Sequence, residues 1–209
     1  MTVNTLDRYK TIVDEIGNMN WSKLSREELT AACCAYYYFS VQFVECVDIA
    51  CELYPADAKL IALREGECDT DNLSPYPGIA KPGERMNHDE FMRRVVVMAK
   101  LDPAEQERLE QLGRTYFAEV HPHDPVVRAM SLSSYEDGGL ETVFRAILKA
   151  RDWDSPALRA FHHFLVAHIE LDSGEHGGLC RHLVADDRVA PLWSAFRNLL
   201  VRAAPRLAA

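Results

Sequence analysis

Two histidines and an aspartate recur at steps of four residues within the stretch HIELDSGEH, residues 168–176. On a helix, His168, Asp172 and His176 would spread over roughly 80° of one face, because each step of four residues turns it by about 40°. Apolar residues lie on or beside that face: Phe164, Leu165, Leu171 and Leu179. Imidazole together with carboxylate suits iron, zinc or manganese. The pattern therefore favours an inward-facing metal site over a solvated polar stripe.

A straight helix does not bring both histidines to one pair of metal ions. Residues 168 and 176 would lie about 12 Å apart along the helix axis, whereas two metal ions in a shared site are only about 3.5–4 Å apart. Three glycines occur in or just after this stretch, at positions 174, 177 and 178. Each glycine destabilises a helix by about 1 kcal/mol relative to alanine. We therefore expect this segment to bend, or to become ordered when metal binds.

Other parts of the sequence offer the remaining ligands of such a site. His88 stands at the start of a predicted helix, directly after a loop rich in proline and glycine, where it can be aimed. Glu136 lies on a mostly apolar helix, just before a Gly-Gly pair. The end of an earlier helix supplies one further acidic candidate among four: Glu65, Glu67, Asp69 and Asp71. Each of these side chains could instead face solvent.

Two patterns in the long helix near the N-terminus have a plainer interpretation. Glu45 interrupts an apolar run, but it belongs to a stripe at helical spacing that is typical of an exposed edge: Gln42, Glu45, Asp48 and Glu52. Glu45 is therefore only a distant reserve ligand. The aromatic run Tyr36–Phe39, together with Phe144, could line a substrate pocket, although a role in the core fits it better.

Helical periodicity dominates the elements that must position these residues. Ser25 and Glu28 form a capping box, and Asp102 precedes Pro103 at another predicted start. The predicted helices are 5–17, 25–54, 56–67, 87–101 (with Asn87 as its cap), 102–120, 126–153 with a break at 138–139, 155–183 and 190–207. Residues 69–85 contain three prolines and two glycines and form a loop. The sequence thus predicts an all-α, single-domain bundle of about seven or eight helices over residues 1–209.

Composition narrows the functional class. A formal net charge of -9 disfavours nucleic acid and anionic membrane surfaces, which attract basic proteins. No apolar run approaches the roughly 20 residues that span a bilayer, and the first residues lack the apolar centre of a signal peptide. The six cysteines form no CxxC pair, so they are expected to be buried thiols. These features predict a soluble, cytoplasmic protein that binds neither nucleic acid nor membrane.

Taken in chain order, the candidate residues resemble the motifs of a known family, the haem-oxygenase-like di-iron oxidases. The segments that carry the resemblance are ECD at 67–69, NHDEF at 87–91, SYED at 134–137 and HIELDSGEHG at 168–177, within about residues 60–185. The resemblance implies a haem-oxygenase-like helical fold and six ligands to two Fe(II) ions: Glu67, His88, Glu136, His168, Asp172 and His176. The spacing between Glu67 and His88 is longer than is common in the family, so Glu65 and Glu84 remain alternatives to Glu67.

The resemblance also implies a reaction. In this family two ferrous ions activate O2, the co-substrate, for attack on a C–H or C–N bond of a small molecule, with an external electron donor. Residues 72–94 are most similar to the small members that act on free aliphatic amino acids such as isoleucine. Desaturation, or oxidative cyclisation to an azetidine amino acid, in natural-product biosynthesis is therefore expected, and a homodimer is compatible with the family. Five arginines could bind the substrate carboxylate: Arg85, Arg93, Arg94, Arg145 and Arg181.

Other interpretations keep the helical fold without two irons. Haem oxygenase proper requires one axial histidine and a slot for haem, and a thiaminase-like enzyme requires a reactive cysteine with acid–base partners. A non-catalytic, all-α interaction protein would bind no iron. The chain contains neither the Glu-x-x-His pairs of ferritin-like bundles nor the HExxH motif of zinc proteases. None of the alternatives explains six ligand-type residues in the order of the di-iron family.

Overall fold

The computed structural model describes residues 8–172 and 178–208, with only the backbone of Asp172. Helices supply the regular structure of this part of the chain. Its nine α-helices are α1 (Arg8–Gly17), α2 (Arg26–Leu53), α3 (Ala58–Glu67), α4 (His88–Ala99), α5 (Pro103–Val120), α6 (Pro125–Glu136), α7 (Gly139–Ile147), α8 (Pro156–Asp172) and α9 (Ala190–Ala203). Short 3-10 turns occupy Trp21–Lys23, Asp187–Val189 and Pro205–Ala208. The all-α prediction is confirmed. The count exceeds seven or eight because the predicted break at Gly138 and Gly139 separates two complete helices.

Capping chemistry begins two major helices where the sequence predicted. The Ser25 hydroxyl accepts a hydrogen bond from the Glu28 backbone, and the Glu28 carboxylate accepts one from the Ser25 backbone. Asp102 accepts two backbone hydrogen bonds at the start of α5, with Pro103 in the first turn. Such caps contribute about 1 kcal/mol each. The predicted starts of α2 and α5 are therefore confirmed.

One predicted detail of the helices is confirmed in part and another is wrong. Asn87 occupies the predicted N-cap position of α4, but its side chain caps no helical N–H, because its amide oxygen accepts a hydrogen bond from the Asp69 backbone at 2.9 Å. The helix predicted to run to Leu183 does not reach it, since residues 178–183 form turns. Gly178, at the start of these turns, is a poor helix former.

Helix α2 runs through the centre of the fold, where it contacts α3, α4, α5, α6, α8 and α9. The rings of Phe39 and Phe196 stack with centroids 4.1 Å apart, and Tyr36 meets Phe144 edge-on at 5.9 Å. Burying each of these rings contributes roughly 2 kcal/mol. Tyr36, Phe39 and Phe144 therefore belong to the core, while the other two tyrosines of the run are half-buried.

The polar stripe on α2 is exposed only in part. Glu45 and Asp48 are half-buried and Glu52 is exposed, but Gln42 is fully buried. The amide oxygen of Gln42 accepts a hydrogen bond from the Tyr116 hydroxyl at 3.1 Å. The prediction that Gln42 is exposed is wrong, because a partner on α5 satisfies its amide inside the protein.

The cysteines follow the prediction made for them. All six are unpaired thiols, and five are buried.

Within the described ranges, no α-helix combines the length and the apolar character needed to cross a lipid bilayer.

Residues 68–87 form the predicted loop, which is ordered and anchored. Thr70 and Met86 pair as an antiparallel bridge, with N–H to carbonyl distances of 3.1 and 2.9 Å. Arg94 of α4 donates a hydrogen bond of 2.6 Å to the carbonyl oxygen of Ile79, near the middle of the loop. The loop is thus closed at its base and held against α4.

Candidate metal centre

Three buried side chains with ligand atoms converge from α3, α4 and α8. Oε2 of Glu67 lies 2.6 Å from Nδ1 of His88, and that nitrogen lies 2.8 Å from Nε2 of His168. The ligand atoms of all three lie within 4.8 Å of one another. Glu67, His88 and His168 are only 4%, 2% and 7% exposed. We call these three residues the candidate metal centre.

Helix ends bring two of these side chains together. Glu67 is the last residue of α3 and His88 is the first residue of α4. The bridge between Thr70 and Met86 stands three residues after Glu67 and two before His88, so the 20 residues between the two ligands return to their starting point. The long spacing that distinguishes this chain from the family it resembles therefore does not separate Glu67 from His88.

A backbone hydrogen bond determines which nitrogen of His168 carries the hydrogen. Nδ1 lies 2.8 Å from the carbonyl oxygen of Phe164, and because a carbonyl only accepts, Nδ1 must donate. In the neutral ring, Nε2 then carries the lone pair, and this is the nitrogen that faces His88. The Phe164 ring packs at a centroid distance of 4.0 Å and helps to hold the imidazole plane.

An amide side chain does the same for His88. Nε2 of His88 lies 2.9 Å from Oδ1 of Asn72. The Nδ2 group of Asn72 donates to the carbonyl oxygen of Gly66 at 2.9 Å, which leaves the amide oxygen facing the ring. Nε2 of His88 therefore donates, and in the neutral ring Nδ1 points its lone pair at Glu67 and His168.

The candidate metal centre thus gathers electron-pair donors that need a cation. Oε2 of Glu67 and Nε2 of His168 both lie within 3 Å of Nδ1 of His88, and electron pairs this close repel one another unless a proton or a metal ion lies between them. Ligand atoms about 2.1 Å from an octahedral metal ion are about 3 Å apart, close to the 2.6 and 2.8 Å that separate Nδ1 of His88 from the other two ligand atoms. Two histidines and one carboxylate are also the ligands of non-haem Fe(II) oxygenases. The residues present therefore fit an iron ion.

The centre lies in the wall of a small cavity. The free volume is about 20 Å³, enough for one ion or water molecule. Among the described residues, the lining besides the three residues of the centre and Glu136 consists of Tyr36, Ser40, Phe43, Val44, Leu140 and Phe164. This largely apolar wall strengthens electrostatic interactions inside by excluding water.

The remaining predicted ligands fall into two groups. Glu136 is the last residue of α6, is 5% exposed and lines the same cavity. The side chain of Asp172 and the whole of His176 lie outside the described residues. The structure therefore brings four of the six predicted ligand residues to one cavity.

The alternative acidic ligands are directed elsewhere. Glu65 is exposed on α3, and Glu84 forms an ion pair of 2.7 Å with Arg94. Glu45 pairs with His121 and Arg128. Two further candidates are exposed: Asp69 and Asp71. Of the acidic residues near the end of α3, only Glu67 lines the cavity.

The five arginines predicted as substrate ligands are already paired. Each forms an ion pair with a carboxylate of its own chain: Arg85 with Asp69, Arg93 with Glu90, Arg94 with Glu84 and Glu90, Arg145 with Glu141, and Arg181 with Asp137. None of the five lines the cavity. In the described residues, the cavity therefore offers no arginine to a substrate carboxylate.

Two buried cysteines, Cys68 and Cys180, have unreactive thiols. Burial raises the pKa of Cys68, the neighbour of Glu67, to about 12. Burial, with a smaller contribution from Glu136, also raises the pKa of Cys180. Both thiols stay protonated at neutral pH and are poor nucleophiles.

A larger depression of the surface lies away from these residues. It is an open groove of about 1050 Å³ near the starts of α2, α5 and α8. Two of its charged side chains, Arg26 and Arg108, are exposed and paired with Asp152 and Glu105. We place the functional site at the smaller cavity, because ligand-type side chains converge only there among the described residues.

Asn72 was missed from the sequence. A single asparagine in a loop carries no spacing signal, and its partner His88 lies 16 residues away. The one available hint was the length of the loop, since long loops in compact domains are often functional.

Comparison of this chain with protein-family models, with curated proteins and with solved structures finds no match.

Proposed function

We propose that this protein is a non-haem di-iron oxidase that uses O2 to oxidise a small substrate, a free aliphatic amino acid such as isoleucine. The observation that carries the proposal is the convergence of Glu67, His88 and His168 in the protein interior. Buried side chains of these types need a cation to offset their converging lone pairs. An ion held by two histidines and one carboxylate retains open coordination positions.

Bound iron would supply O2 activation and the oxidising power to break an unactivated C–H bond. The protein contributes position and electrostatics. His88 and His168 present defined ring nitrogens, because Asn72 and the Phe164 carbonyl hold the opposite edges of the rings. Glu67 supplies negative charge, which favours a divalent ion over a proton when the metal is available.

A second ion would require further ligands. Glu136 is buried on the wall of the same cavity, and carboxylates commonly hold hard metal ions. The resemblance of the sequence to di-iron oxidases adds Asp172 and His176. Two Fe(II) ions per chain are therefore part of the proposal, with Glu67, His88 and His168 as the first set of ligands.

The electron balance of the proposed reaction requires an external electron donor. Desaturation or cyclisation to an azetidine removes two hydrogens, and hence two electrons, from the amino acid. Reduction of O2 to water takes four electrons, so an external donor supplies the other two. The cavity of about 20 Å³ accommodates an ion and not a substrate, so it does not identify the substrate. The choice of an amino acid is supported instead by the resemblance of residues 72–94 to amino-acid-oxidising family members.

Two alternative enzymes of similar fold are less well supported. Haem oxygenase requires a single axial histidine, whereas two histidines and a glutamate converge here. A thiaminase-like mechanism needs an activated cysteine, whereas burial raises the pKa values of Cys68 and Cys180. The buried ligand set favours the iron enzyme over both.

The test is an anaerobic titration of metal-free protein with Fe(II), followed by rapid mixing with O2 in the presence and absence of aliphatic amino acids. We expect two irons per chain and a transient visible absorbance that forms only with the correct substrate. His168→Ala should lower iron affinity at least about 100-fold, because a ligand is lost. His121→Ala removes a histidine of the surface and should bind iron like the wild type.

Two results would overturn the proposal. One is the absence of stoichiometric iron binding, or binding that His168→Ala leaves unchanged. The other is tight zinc binding with an O2-inert iron form, which would indicate a hydrolytic metal site of the same ligand type.

A further inference from the structure

We propose that Asn72 is a positioning residue of the candidate metal centre, which keeps hydrogen on Nε2 of His88 and so directs the lone pair of Nδ1 at the metal. The inference rests on the proposed function for its metal, but the state of the His88 ring can be measured without one. Asn72 touches neither substrate nor metal in this role. It acts through His88.

The geometry of the amide leaves one arrangement. Nδ2 of Asn72 donates to the carbonyl oxygen of Gly66 at 2.9 Å, so Oδ1 is the atom that lies 2.9 Å from Nε2 of His88. Turning the amide over would place its NH2 group against the ring nitrogen and its oxygen against the Gly66 carbonyl oxygen. That arrangement would lose the hydrogen bond to Gly66 and set two acceptors against each other.

The competing state of His88 explains why this contact matters. Oε2 of Glu67 lies only 2.6 Å from Nδ1 of His88. Without an acceptor beside Nε2, the hydrogen of the neutral ring would favour Nδ1, where it could bind the Glu67 carboxylate. A metal ion would then have to displace that hydrogen and break the bond between its own two ligands. Asn72 opposes this closed state.

Asn72 also connects the two ligands from helix ends. Gly66 directly precedes Glu67 at the end of α3, whereas His88 opens α4. A single amide therefore joins the backbone beside one ligand to the ring of the other. Asn72 is itself an exposed residue, so replacing its side chain removes these two hydrogen bonds without opening the core.

The experiment compares wild-type protein with Asn72→Leu and Asn72→Asp. Leucine has a similar size but neither donates nor accepts, whereas aspartate retains an acceptor for Nε2 of His88. The matched control is Asn87→Leu, because Asn87 binds the same loop, through the Asp69 backbone, but is not bonded to a ligand ring. Nitrogen-15 NMR of metal-free protein, at a pH where the ring is neutral, reports which nitrogen of His88 carries the hydrogen. Anaerobic Fe(II) titration reports affinity.

We expect hydrogen on Nε2 in the wild type, Asn72→Asp and Asn87→Leu, and a shift towards Nδ1 in Asn72→Leu. Fe(II) affinity should fall about 10-fold in Asn72→Leu, the lower end of the range for residues behind a metal ligand, because water can reach this exposed position. Asn72→Asp should bind within a few-fold of wild type. A loss of affinity in Asn87→Leu equal to that in Asn72→Leu would indicate loop anchoring alone and would overturn the proposal.

Two further outcomes are informative. Hydrogen on Nδ1 of His88 in the wild type, or an unchanged ring in Asn72→Leu, would also overturn the role of Asn72. If no variant and no wild-type sample binds iron, the proposed function fails, while the NMR comparison still decides the role of Asn72 in the His88 tautomer. Circular dichroism of Asn72→Leu verifies folding, and Asn72→Asp provides a second test should that variant unfold.

Discussion

Two clusters in this protein place a glutamate against a histidine, one in the interior and one at the surface. In the candidate metal centre, Glu67 and His88 are almost completely buried. In the surface cluster of Glu45, His121 and Arg128, the Glu45 and His121 side chains are 37% and 44% exposed. Oε2 of Glu45 lies 3.0 Å from His121 and 2.5 Å from the Arg128 guanidinium.

The two clusters differ in the positive charge that lies beside the glutamate. The surface carboxylate has Arg128 as a permanent counter-charge, and water solvates the rest of it. The interior carboxylate instead lies 2.6 Å from a histidine ring nitrogen, and no lysine or arginine lines its cavity within the described residues. A histidine near a glutamate therefore suggests a metal site more strongly where both are buried than where a permanently charged arginine already neutralises the carboxylate.

The largest expected effect comes from removing one charge at each cluster. Glu67→Gln should lower Fe(II) affinity at least about 100-fold, equivalent to about 2.7 kcal/mol, because a neutral amide is a weak ligand. Glu45→Gln makes the same change at the surface cluster and should leave the affinity unchanged. Anaerobic titration of both variants checks the pair, and equal losses would mean that the comparison does not identify the metal site.

Metal should also stabilise the folded protein, and only by binding at the interior cluster. A ligand at 100 times its Kd stabilises the folded state by about 2.7 kcal/mol, which for a chain of this size raises Tm by about 5–10 °C. We expect such a shift with saturating Fe(II) under anaerobic conditions, reversed by a chelator. Differential scanning calorimetry should show it in Glu45→Gln but not in Glu67→Gln. An identical shift in both variants would point to a different binding site.

The smallest expected effect concerns a second surface cluster, in which Arg93 and Arg94 both form ion pairs with Glu90. Hydrogen bonds from Arg93, and then from Arg94, lower the pKa of Glu90 to about 2. A lowered carboxyl pKa stabilises the fold fully above pH 4.5, and this contribution is lost as the pH falls towards 2.

Glu90→Gln should therefore cost about 1 kcal/mol at pH 7, a value limited by solvent screening of a partly exposed pair. Urea unfolding at a series of pH values should show the two proteins converging near pH 2. A difference that persists unchanged at that pH would assign the effect to packing. Iron affinity should stay the same, because this cluster needs no added cation.

Sequence reasoning located the helices well and the ligands in part, for different physical reasons. Capping residues act within one turn, so Ser25 and Asp102 could be recognised without a fold. Glu136 could be singled out by its residue type and its place before a Gly-Gly break, although no pattern could show that it would share a cavity with His88. The sequence left Glu65 and Glu84 as alternatives to Glu67, and of these three residues only Glu67 lines the cavity in the structure.

The errors share one origin. Gln42 was assigned to an exposed stripe, but its partner Tyr116 lies 74 positions away. Asn72 was overlooked because its role depends on the return of the loop to His88. Asn87 takes the predicted N-cap position of α4, but its amide oxygen accepts a hydrogen bond from the Asp69 backbone instead of from a helical N–H. Long-range hydrogen bonds decide these positions, and they leave no periodic trace in the sequence.

The bridge between Thr70 and Met86 has a consequence for how this protein can change over evolution. Closing a flexible segment of about 20 residues costs roughly 2.7 kcal/mol of chain entropy, and folding already meets that cost at the base of the loop. Exposed residues between the two bridge positions, other than Asn72, can therefore vary in sequence without moving Glu67 or His88, whereas Leu73, Ile79 and Ala80 are buried in the core. The outer face of the loop can therefore diverge while the candidate metal centre stays in place.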